Sequence, residues 1–131
     1  MPGTTGGTGS AATDETDQLI SSTKVEGTAV YNRQGERLGT VASFMVDKRT
    51  GQVAYVVLST GGFLGLGQAY HPVPWSLLSY DEERGGYVVQ ITTSMLSGGP
   101  SYRPDTAPNF DDQYGRRIDD YYRLPPGTMS L

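Results

Sequence analysis

Between residues 24 and 91 the apolar positions come in short runs divided by turn chemistry, the pattern of a small all-β domain. The run 24–32, KVEGTAVYN, reads as a first strand, and RQGE follows it as a turn with Gly35 free to take a positive φ. Along 37–47, Thr40, Ala42, Phe44 and Val46 alternate with Val41, Ser43 and Met45, which predicts a strand with one covered face. DKRTG at 47–51 predicts a hairpin turn in which the Asp47 carboxylate bonds its own backbone and Gly51 takes the left-handed position. The third run, 52–60, is apolar on both faces: Tyr55 and Val57 lie on one, Ala54, Val56 and Leu58 on the other. A small barrel covers one of these faces. A tail, a helix or another subunit has to cover the second.

A glycine-rich loop, GGFLGLG at 61–67, separates this strand from a fourth, QAYHPVPW at 68–75. Pro72 and Pro74 confine that strand to a sheet edge or to a strand end, since neither can donate to a ladder, and PWSLL then suits one helical turn. YDEERGGY at 80–87 is a polar turn, YVVQI at 87–91 a fifth strand, and TTSMLSGGP a helical turn stopped by Gly98, Gly99 and Pro100. These readings divide the chain into a disordered tail 1–22, a barrel domain 23–102 and a C-terminal arm 103–131. The arm is patterned. Phe110, Tyr114, Ile118 and the pair Tyr121 and Tyr122 recur at helical spacing, with Asn109 as a cap and Pro125-Pro126 as a stop. Such an arm either binds a partner or folds back on its own barrel.

Charge narrows the partners. The net charge of −4 lies at the ends, because residues 24–97 hold six bases and six acids. A neutral barrel with acidic tails lacks the basic stripe that captures nucleic acid. No stretch approaches the roughly 20 apolar residues of a membrane span, and the N-terminus lacks the build of a signal peptide, so a cytoplasmic protein is expected. The chain has no cysteine and a single histidine, His71, so a disulfide framework and a zinc site are both unexpected. The glycine loop has the glycine spacing of a phosphate-binding loop, but Gln68-Ala69 replaces its Lys-Ser/Thr and the two prolines preclude the helix that must follow. It reads instead as a hairpin carrying Phe63, Leu64 and Leu66 as buried or contact residues. Trp75, after Pro74, is a core plug or an interface anchor.

Taken together, Gly35, Leu38-Gly39, Val41, Asp47, Gly51, Tyr55, Val57-Leu58, Gly61-Gly62-Phe63-Leu64-Gly65, Pro72-Val73-Pro74-Trp75 and Leu78 resemble the PRC-barrel domain. That domain was recognised in the cytoplasmic part of the photosynthetic reaction-centre H subunit and in the ribosome-maturation factor RimM. The resemblance spans about residues 24–102 and implies a small antiparallel β-barrel of five to six strands, often self-associating, that serves as an adaptor and not as a catalyst.

From this we expect a non-catalytic interaction module, with no cofactor or metal and no small-molecule substrate. Its partner is expected to be a protein, first of all a second copy of the chain in a homodimer. The candidate interface is Phe63, Leu64, Leu66, Trp75, Tyr114, Ile118, Tyr121 and Tyr122. A RimM-like accessory role in RNA processing or ribosome assembly, and a small-ligand site on loop 61–68, are the alternatives.

Overall fold

The computed structural model describes residues 15–16, 18–61 and 68–123. Its frame is one six-stranded sheet made of β1 (Ala29–Tyr31), β2 (Arg37–Val46), β3 (Val53–Thr60), β4 (Ala69–Pro74), β5 (Leu78–Asp81) and β6 (Gly86–Val89). The strand order is β4-β3-β2-β1-β6-β5, which puts β4 and β5 at opposite edges. A 3-10 turn of only three residues, Trp75–Leu77, joins those two edges. The edges of a flat six-stranded sheet would lie about 24 Å apart, whereas this link reaches about 14 Å at full stretch. The sheet must therefore curl, and it forms a half-barrel around Val30, Val41, Val56, Leu58, Val73 and Val89.

The expected antiparallel pairing holds for four of the five described strand pairs, and that short link makes the fifth an exception. The chain crosses from β4 to β5 without reversing, so β6, antiparallel to β5, ends up parallel to β1 through Val30↔Tyr87 and Tyr31↔Val88. The barrel is mixed, with its other neighbours antiparallel.

Turn chemistry acts where local residues dictate it. Asp47 Oδ1 accepts from the backbone N–H groups of Arg49 (2.8 Å) and Thr50 (3.0 Å), and Gly51 sits at φ 78°. The first run differs from expectation. Ser21 caps a helical turn, α1 (Ser22–Val25), and strand begins only at Ala29, after Gly27 has turned the chain at φ 86°. Within β2, irregularities between Val41 and Ser43 and between Met45 and Val46 break the period of two. Val41 and Phe44 both reach the core, and Val46 is turned outward. Of the tail, residues 1–14 and 17 lie outside the described residues; Glu15 and Ile20 form a bridge, and Ile20 packs on the core.

After β6, Thr92 caps α2 (Thr93–Gly98) by accepting from the Met95 N–H, and Tyr102 then pairs with Tyr70 through both backbone bonds, 2.8 and 2.9 Å. This single residue extends the β4 edge. The described part of the arm holds α3 (Asp112–Tyr122), and its cap is Asp111 and not Asn109: Asp111 Oδ1 accepts from the Tyr114 N–H at 2.9 Å. No helix among the described residues is long and apolar enough to cross a membrane.

Candidate functional site

The second apolar face of β3 is covered by the chain's own arm. Tyr114, Ile118 and Tyr122, four residues apart along α3, are buried, and α3 packs across β4. Tyr55 donates toward the Gly115 carbonyl and Asp119 Oδ1, each at 3.3 Å, which fixes α3 over the Tyr55 face. On that face Val57 and its cross-strand partner Pro72 are fully buried. Gly115 is what lets the helix come so close, because a β-carbon there would stand 3.0 Å from the Tyr55 hydroxyl. A ladder of edge-to-face rings, Tyr70–Tyr102–Phe110–Tyr114, leads from the sheet edge into the helix at centroid separations of 5.6, 6.1 and 5.0 Å. Tyr121 donates to the Met95 carbonyl at 2.7 Å and ties the helix to α2. Burial raises the Tyr122 hydroxyl's pKa, and burial, then the Asp119 charge and hydrogen bond, push Tyr55 up to about 12. Both phenols stay neutral at physiological pH.

The expected interface residues therefore fall into three groups. Phe63, Leu64 and Leu66 lie outside the described residues. Trp75 is partly buried and packs edge-on against Phe44 (5.7 Å) and Tyr87 (5.5 Å), so it plugs the barrel margin. Tyr114, Ile118 and Tyr122 face their own barrel, and Tyr121, 37% exposed, is the arm residue of this set that reaches solvent.

His71 is buried, with Nε2 paired to Thr60 Oγ1 at 3.0 Å across the β3–β4 ladder. Burial lowers its pKa; the Leu96 carbonyl, which falls short of a full hydrogen bond to Nδ1, works weakly the other way. The folded chain holds the ring neutral while the unfolded chain takes up a proton near 6.5. Its contribution is thus complete above pH 6.5 and declines as pH falls toward the lower folded value. Urea midpoints should drop between pH 7.5 and 5.5, and His71→Gln should flatten that dependence.

Where α3 begins, its first turns stand beside the β2–β3 hairpin and leave a cleft of about 430 Å³. Met45, Val46, Ala54 and Phe110 supply apolar surface to it, Tyr55 forms a wall, and Asp47, Asp111, Asp112, Arg116 and Asp119 line it with charge. Val46 is 51% exposed. Sequence reading missed this cleft because its two walls lie some sixty residues apart along the chain, as Tyr55 and Gly115 do. The outward turn of Val46 depends on an irregularity that no alternating pattern displays.

The profile of the PRC-barrel domain family matches residues 17–96, more than half of the chain, and does so over the curled sheet just described. The chain belongs to the PRC-barrel family. An uncharacterized protein of Deinococcus radiodurans is similar to it, 27% identical over 81 residues that make up 62% of this chain and 28% of the relative. The chain thus spans less than a third of that protein's length. Among the residues that carry the PRC resemblance, Gly35 (φ 88°) and Gly51 serve turns, and Val41, Val57, Leu58, Pro72 and Val73 are buried. They build the PRC barrel. Among the described residues of that set only Asp47 and Tyr55 reach the cleft, whose other wall, residues 110–119, lies beyond the family match.

Proposed function

We propose that this PRC barrel is a non-catalytic protein-interaction module that binds its partner in the cleft between the β2–β3 hairpin and α3. The observation that carries this reading is the outward-facing strip at Met45, Val46 and Ala54. An apolar strip left open beside a concave surface lowers its free energy when a partner covers it. The carboxylates around it are the wrong sign for a phosphate backbone, which favours protein over nucleic acid. Self-association through the second face of β3 loses its motive, because α3 covers that face within the chain. The β5 edge, which has no neighbouring strand among the described residues, is the surface left for pairing with a second copy.

A photoreactive benzoylphenylalanine placed at position 46 tests the reading in living cells. It should give discrete protein adducts, whereas the same group at Glu83 should not. An adduct near twice 14.1 kDa would identify a second copy as the partner. The absence of any adduct at position 46 would sink the proposal.

A further inference from the structure

We infer that the cleft accepts a peptide segment in which an apolar side chain is flanked by lysine or arginine; the inference rests on the interaction reading above and names its partner's chemistry. The floor calls for the apolar side chain. Val46 is 51% exposed and Ala54 is exposed, with Met45 and Phe110 half-buried beside them, so a side chain of leucine or methionine size would take this surface out of water.

The rim sets the sign of what flanks that side chain. Four aspartates line the cleft against one arginine, Arg116, a formal local charge of −3. Their internal duties leave acceptor capacity over. Asp111 and Asp119 use Oδ1 for the helix cap and Tyr55, and in each the second oxygen has no partner among the described residues; the Asp47 carboxylate serves the turn, where the Thr50 side chain bonds it as well. Asp112 makes no hydrogen bond or ion pair at all among them. The backbone N–H groups of Thr50 and Arg49 hold the Asp47 carboxyl below its ordinary range, so it remains charged in mild acid. A lysine or arginine at either side of the inserted residue finds a carboxylate within the same cleft, and an acidic segment is repelled. The chain's own N-terminal stretch, which carries Asp14 and Asp17, is of the wrong sign to fill it.

Calorimetric titration of the full chain tests this with three probes: Ac-Lys-Arg-Leu-Leu-Arg-Lys-NH2, its charge-reversed form Ac-Glu-Asp-Leu-Leu-Asp-Glu-NH2, and Ac-Lys-Arg-Ser-Ser-Arg-Lys-NH2. The first should bind, and more weakly as salt is raised; the acidic peptide should not bind, and the serine peptide should bind at least about tenfold more weakly than the first. The double variant V46K/D112N changes two exposed side chains and should keep its urea midpoint while losing about tenfold or more in affinity for the first peptide. Failure of that peptide to bind, equal binding of the two charge types, or unchanged affinity in the variant would each overturn the inference. Should the peptide fail while adducts still form at position 46, the interaction reading stands and only the partner's chemistry is wrong.

Discussion

Ile118→Ala is expected to cost about 2–5 kcal/mol of unfolding free energy, the range for emptying a fully buried aliphatic site. The loss should exceed that of an ordinary surface helix position, because α3 has only 11 residues and helices that short are marginal on their own. Its order derives from the stripe Tyr114, Ile118 and Tyr122 pressed on the barrel, and Ile118 is the middle of that stripe. Two readouts should move together. The urea midpoint followed by Trp75 fluorescence should fall, and trypsin should cut faster after Arg116 and Arg117, whose backbone is held helical in docked α3. Unchanged midpoints with unchanged cleavage would mean that Ile118 is not buried against the barrel.

Gly39→Ala should be comparably damaging for a different reason. A β-carbon at Gly39 would overlap the carbonyl oxygen of Ser59 on the neighbouring strand, and that obstacle is backbone, which cannot swing aside. Overpacking of this kind costs about 1–3 kcal/mol, and the upper end is expected where two paired strands must separate. Gly51→Ala provides the contrast. Its β-carbon would meet nothing within 4 Å, and the cost is only that of the left-handed backbone, about 1–2 kcal/mol. Denaturation curves that rank Gly51→Ala as the worse of the two would contradict the close approach of β2 and β3 at Gly39.

What could be read in the sequence was what neighbouring residues decide among themselves. Asp47 and Gly51 announce their turn because an Asx bond and a positive φ need no distant partner. Pro72 and Pro74 announce an edge strand because a missing donor is a property of the residue itself, and β4 does lie at the edge. The two-faced run 52–60 announced a second cover, which α3 provides in cis. The rest depended on encounters. The run 24–32 looked extended, but Ser21 at its entry offers a cap that competes with strand. The residues of β5, Leu78–Asp81, are too few to show a period, and they pair only because β6 returns beside them. Gly115 is a poor helix former by itself; its purpose appears only once Tyr55 is seen against it. The cleft was invisible for the same reason. Its floor comes from a strand irregularity and its rim from a helix beyond the family match, so no local pattern joins them.

The arm, by closing over its own barrel, both covers the second face of β3 and builds the cleft. Nuclear Overhauser contacts between the Tyr55 ring and the Gly115 α-protons measure this directly, in a sample mixing isotope-labelled and unlabelled chains. The structure places the Tyr55 hydroxyl 3.3 Å from the Gly115 carbonyl, so the contacts should be strong within one chain and persist on dilution. Contacts seen only between labelled and unlabelled chains, or none at all, would contradict it.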